Sequence, residues 1–165
     1  MKKRRFDKLW LGIGIASLAI FLSITAFLAY SQDQITKNDT STMITVNYDD
    51  VETIAPFNNP GVHKVEGKEW DYEVVVTSST FMYSPVDLEI PIGSTVKFIS
   101  TSKDVVHGFE VAGTDISMTV EPGYISEYIT KLEQEGEFLI VCNEYCGTGH
   151  GQMYSKLKVV NQGEI

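Results

Sequence analysis

The sequence predicts an all-β sandwich or barrel carried behind one N-terminal membrane helix. Three observations lead there. Leu9 to Tyr30 is a run of 22 residues without a charge, long enough to cross a bilayer as a helix. From Tyr72 onward, seven short runs rich in β-branched and aromatic residues follow one another: YEVVVTSS, DLEIPIG, STVKFISTS, HGFEVAG, YISEYIT, GEFLIVC and YSKLKVV. Turn signals separate them, among them Pro91-Ile92-Gly93 and Pro122-Gly123, where proline fixes φ and glycine accepts unusual φ. Nothing after Tyr30 has a convincing helical period, so strands at this spacing imply a sandwich or barrel.

The N-terminal element is read from its flank. Residues 1–8, MKKRRFDK, hold five basic residues and one acid, so the positive-inside rule keeps them cytoplasmic and exports everything after Tyr30. A cleaved signal peptide shares the basic start and apolar core, but this run exceeds a usual signal core and no clean A-x-A site follows it. The expected layout is therefore a cytoplasmic N-terminus over 1–8, a single-pass anchor in the cell membrane over 9–30, a linker and irregular lead-in over 31–70, and one outer-face domain over 71–165. Of 13 basic and 22 acidic residues, 8 and 21 lie beyond the anchor, a net charge of −13. That argues against nucleic acid or anionic lipid as a partner. It suits a cationic partner, and equally a domain that is only kept soluble by its charge.

The chemistry concentrates in CNEYCGTGHGQM, residues 142 to 153. In an exported domain two cysteines first suggest a disulfide, but the ring between Cys142 and Cys146 would be too short to constrain the unfolded chain much. Thiolate, imidazole and thioether are ligands that suit copper, and here they recur as C-x3-C-x3-H-x2-M. Gly147, Gly149 and Gly151 let the backbone wrap closely around a central object. Structural zinc would take Cys142, Cys146, His150 and one more histidine and leave Met153 idle. A mononuclear blue copper would take one cysteine and strand the other. Two copper ions sharing both thiolates use every donor, with Met153 as one weak axial ligand and the main-chain carbonyl of Glu144 as the other.

Such a centre needs a second histidine. His63 lies in the irregular lead-in beside Pro60 and Gly61 and reads as a solvated loop residue. His107 follows two apolar residues at the start of a strand run and alone would read as a core histidine. The demand for one more imidazole favours His107.

The motifs DVVHGFEV (104–111) and CNEYCGTGHGQM (142–153), with TDISMTVEPGYISEY between them, resemble subunit II of the haem-copper cytochrome c oxidases. The resemblance covers roughly 72 to 160, and the single anchor and the stretch FMYSPVDLEIPIG look most like the short B-type form. It implies a cupredoxin-like Greek-key β sandwich holding a binuclear copper A centre. It also implies that Cys142 and Cys146 bridge two coppers, that His107 and His150 bind one each, and that Met153 and the Glu144 carbonyl are weak ligands. As members of the family do, the chain would take electrons singly from cytochrome c or a similar donor and pass them to haem in subunit I, where oxygen becomes water and protons are pumped. The resemblance further places Phe81 and Tyr83 where electrons come in, and Asp7 near a proton entrance. Quinol-oxidising relatives lack these ligands, so a quinol donor is not expected. Nitrous oxide reductase joins a similar domain to a large catalytic one, which this chain is not expected to include.

Competing functions are a membrane-tethered copper-delivery or thiol-redox assembly protein and a mononuclear cupredoxin. The first usually has a thioredoxin-like α/β fold, which the absence of helical periods disfavours.

Overall fold

A computed structural model describes residues 2–38 and 44–161. The chain divides into two units, Met1–Thr42 and Met43–Ile165.

In the first unit, α1 runs from Lys2 to Asn38. Its apolar part, Phe6–Tyr30, is 25 residues, about 37 Å at 1.5 Å per residue, enough to span a hydrocarbon core of roughly 30 Å. Leu9, Trp10, Ile13, Phe21 and Phe27 are all exposed, as lipid-facing side chains should be. The hydroxyls of Ser17, Ser23 and Thr25 donate to carbonyls one turn back, at 2.9, 2.8 and 3.1 Å, so none requires water. The helix outlasts the expected span of 9–30 and takes in residues 31–38, which were expected to be linker. No proline or glycine interrupts SQDQITKN, and a nucleated helix propagates through ordinary residues.

The second unit is two sheets. Its strands are β1 (Gly61–Lys64), β2 (Tyr72–Ser79), β3 (Met82–Ser84), β4 (Asp87–Pro91), β5 (Thr95–Ser102), β6 (His107–Val111), β7 (Ser117–Val120), β8 (Ser126–Lys131), β9 (Gly136–Val141) and β10 (Tyr154–Val160). One sheet has the order β1-β2-β5-β8 with β3 on β2, the other β4-β10-β9-β6-β7. The β2–β5 and β4–β10 pairs are parallel and the rest antiparallel. All seven expected strands form. The three that the sequence did not reveal, β1, β3 and β7, have only 4, 3 and 4 residues, too few for alternation to be counted.

Val74, Val76, Ile90, Phe98, Phe109 and Ile140 fill the space between the sheets. The outer face of β2 and β5 is buried too, because Val46, Val51 and Phe57 cover Val75 and Ile99. The apolar run in YEVVVTSS thus reflects burial on both faces. The expected linker and lead-in, 31–70, therefore needs correcting: from Ile44 it belongs to the folded unit. Val46 N donates to Gly123 O at 3.0 Å, and Ile125 N to Ile44 O at 2.9 Å. A 3-10 helix, Tyr48–Thr53, brings Val51 inward. The Pro122-Gly123 turn behaves as expected, with Gly123 at φ +83° after proline.

Candidate metal centre

β6 and β9 are antiparallel neighbours, with Glu110 opposite Val141. The start of β6 and the end of β9 therefore lie at the same end of the sheet. His107 opens β6, and the 142–153 segment follows β9. This register, not sequence proximity, brings Gly108 N to within 3.4 Å of Cys142 Sγ across 34 residues. Only glycine fits at 108, because a Cβ there would sit 1.7 Å from Asn143 Oδ1 and 2.7 Å from Asn143 N.

Both cysteines are free and buried. Their sulfurs stand 3.8 Å apart, against about 2.05 Å for a disulfide, so the disulfide reading does not hold. A ring nitrogen of His107 and both sulfurs all lie within 4.8 Å of one another. His107 is fully buried. Its Nε2 is 2.7 Å from Asp104 Oδ1, while its Nδ1 is buried with no hydrogen-bond partner. Nδ1 is therefore the nitrogen left for a metal.

The remaining expected ligands surround the sulfurs. His150 Nδ1 lies 3.7 Å from Cys146 Sγ, and Met153 Sδ, also buried, lies 3.7 Å from the same sulfur. Cys142 Sγ is 3.1 Å from the Glu144 carbonyl. The Gly149 region turns back as a short 3-10 helix, His150–Gln152, and Cys142 N donates to Met153 O at 3.3 Å, closing the segment. All six expected ligands are thus brought together. The donor set, with an orphaned buried imidazole nitrogen and two reduced thiols, fits copper.

Two acids at the site are shifted in opposite directions. Burial, then the neighbouring Cys142, pushes the Cys146 thiol up to about 11. Burial works against the charge of Asp104, but hydrogen bonds from Thr80, His107 and the Val105 amide outweigh it and hold the carboxyl down to about 2. Asp104 thus remains an anion that orients His107 from behind. Sequence reasoning gave no role to Asp104, Thr80 or Gly108. Only Asp104 left a signal, an acid three residues before the histidine.

Other expected residues fall elsewhere. Tyr83, placed with Phe81 where electrons come in, is only 2% exposed, and its hydroxyl donates to Gly108 O at 2.6 Å. It is a core residue without a surface for a donor, and burial, then Cys142, raises its phenol. Phe81 is half-buried against the core. Asp7 lies exposed on α1. His63, expected in a solvated loop, instead lies half-buried in β1, where its Nε2 donates to Asn59 O at 2.8 Å.

A membrane-anchored β sandwich of cupredoxin type, with two thiols and two imidazoles gathered at one end, defines a copper-binding electron-transfer protein. Residues 64–160 match the family described as cytochrome c oxidase subunit II, periplasmic domain. The chain belongs to that family, the electron-transfer subunit of the haem-copper oxidases, and so to an oxidoreductase complex. Cytochrome c oxidase subunit 2 of Thermus thermophilus is 33% identical over 161 residues, covering 93% of this chain and 91% of that one. A second subunit 2 from Thermus thermophilus is 38% identical over 104 residues, covering 63% and 77%. A chain from a heme-copper terminal oxidase dimer superposes with a TM-score of 0.62 at 26% identity, covering 87% of this chain and 98% of that one. The periplasmic domain of subunit II of cytochrome oxidase from Bradyrhizobium japonicum shares the fold, with a TM-score of 0.54 at 20% identity over 59% and 89% of the two chains.

Proposed function

We propose that this chain accepts electrons one at a time from cytochrome c or a similar donor through a binuclear copper A centre and hands them to haem in subunit I, for oxygen reduction coupled to proton pumping. The observation that carries this reading is the pair of free sulfurs 3.8 Å apart, with His107 beside both and His150 beside Cys146. Cys142 and Cys146 would share two coppers, His107 and His150 would bind one each, and Met153 and the Glu144 carbonyl would be the weak ligands. Copper bound there would supply one-electron redox chemistry. The β sandwich contributes rigid attachment, since the ligand segments are tied to β6, β9 and β10 on either side. Burial of the cysteines, His107 and Met153 excludes water.

The five basic residues before the uncharged run that begins at Leu9 support a cytoplasmic N-terminus and an outer-face copper domain. The acidic excess beyond the anchor supports a cationic donor. Phe81 is the one of the two aromatics with a surface left for that donor. A proton entrance at Asp7 rests on its position two residues before the uncharged run that begins at Leu9.

The test is copper content and electron paramagnetic resonance of the full chain in detergent. Two coppers per chain with a seven-line mixed-valence signal are expected, as for one electron shared by two equivalent nuclei. One copper with a blue band would overturn the binuclear reading in favour of a mononuclear cupredoxin.

A further inference from the structure

Two segments carry the expected ligands, 104–107 and 142–153, and one hairpin tip touches both. Residues Thr80 and Phe81 form the turn between β2 and β3, whose register pairs Ser79 with Met82 and Ser78 with Tyr83. Thr80 donates both its backbone N–H and its hydroxyl to Asp104 Oδ2. The other oxygen of Asp104 holds His107. From the adjacent position, the Phe81 ring lies flat against the turn between Cys146 and His150. A Cβ at Gly149 would begin 2.5 Å from Cγ and Cδ2 of that ring, and one at Gly147 would begin 3.2 Å from Cε1.

The backbone at Phe81 sharpens the point. Its φ is +67°, the one non-glycine residue with positive φ among those described. That conformation suits glycine and disfavours a bulky side chain. Something must offset the cost, and the ring's seat on Gly147 and Gly149, with its packing against the core, supplies the contacts. The ring in turn explains Gly149, where it leaves no room for a side chain, whereas Gly147 is required by its own φ of +129°.

We propose that the Thr80–Phe81 tip is a positioning device for the metal ligands. Phe81 presses the Cys146–His150 turn into place, while Thr80 sets Asp104 and, through it, His107. One rigid turn thereby fixes both imidazoles relative to the shared sulfurs, which keeps the geometry of the centre constant between redox states. Phe81 is on this account a positioning residue, whose ring bears on the turn that carries the ligands. The inference about the centre rests on the copper reading above, but the first arm of its test does not.

In that arm the metal-free full chain in detergent is followed by amide hydrogen exchange in the parent, Phe81→Ala, Phe81→Gly and Phe81→Tyr. Loss of the ring should speed exchange of the His150, Gln152 and Met153 amides about tenfold or more while β5 and β9 stay protected, and tyrosine should restore the parent rate. If Phe81→Gly, which relieves the backbone, leaves these amides as protected as in the parent, the ring does not hold the turn and the proposal fails. Should Phe81→Ala not fold, Phe81→Leu gives the same comparison. In the second arm the copper-loaded chains are compared by reduction potential and copper hyperfine splitting. Both should shift in Phe81→Ala and return in Phe81→Tyr. A role in electron passage alone would instead slow reduction by a donor and leave exchange, potential and hyperfine splitting unchanged, which would overturn the positioning role. Altered exchange with no copper uptake by the parent would overturn the copper reading and leave the clamp on the turn standing.

Discussion

Asp104 Oδ1 stands 2.7 Å from Nε2 of the fully buried His107. The carboxylate fixes which nitrogen of the ring faces the two sulfurs. A buried imidazole without such a partner would be free to present either nitrogen.

Asp104→Asn should accordingly weaken copper binding about 10- to 100-fold without unfolding the domain, the usual cost of losing a carboxylate behind a ligating histidine. Competition titration against a chelator measures it. Affinity unchanged within experimental scatter would remove Asp104 from the centre. The same residue predicts an acid limit for the metal-free chain. Its folded carboxyl is held down to about 2 from an ordinary 3.8, so its stabilising contribution is present above about pH 4 and disappears as pH falls from there through 2. Denaturant midpoints of the parent and Asp104→Asn should therefore converge as pH falls through that window.

Cys146 predicts proton release. Its thiol is raised to about 11 from 9, so the metal-free site is protonated at neutral pH and copper must displace that proton. Copper uptake in weak buffer should liberate at least one proton per chain from Cys146, and apparent affinity should rise with pH up to about 11. The raised value also stabilises the metal-free fold below pH 9, a contribution lost as pH climbs through 11. Calorimetry in buffers of different ionisation enthalpy reads the proton count, and a count of zero contradicts the assignment.

Cys146 and Met153 should respond differently to substitution. Cys146→Ser leaves one thiolate and cannot share two metals, so the mixed-valence signal should vanish. Met153→Leu removes only a weak ligand, so two coppers should remain while the potential moves. If Cys146→Ser keeps the parent spectrum, the ligand assignment is wrong.

Phe57 tests the packing of the lead-in. It is 2% exposed and covers Val75 and Ile99, so Phe57→Ala should cost about 3–5 kcal/mol, the range for a fully buried phenylalanine. Thermal or urea denaturation of the chain would show it. A loss below roughly 0.5 kcal/mol, as at exposed positions, would mean that residues 44–60 are only loosely attached.

The spacing of CNEYCGTGHGQM already named five of the six expected ligands, because a loop of glycines can wrap all of them around one point with no help from the rest of the fold. The seven longer strands and the membrane span were legible for a similar reason, since periodicity and uncharged length are local properties. His107 could be chosen only by counting imidazoles and by family resemblance. Its distance from the cysteines depends on the pairing of β6 with β9, and register is a long-range property. Asp104, Thr80 and Phe81 illustrate the same limit more sharply. Thr80 and Asp104 are 24 residues apart, and nothing in either neighbourhood signals the other. The lead-in was misread because burial of the outer face of β2 and β5 comes from Val46, Val51 and Phe57, apolar residues too sparse to show a period. Donor chemistry and membrane attachment were thus written locally in the chain. The orientation of each ligand, and the hairpin tip that holds the two ligand segments, arose only when strands distant in sequence were hydrogen-bonded into one sandwich.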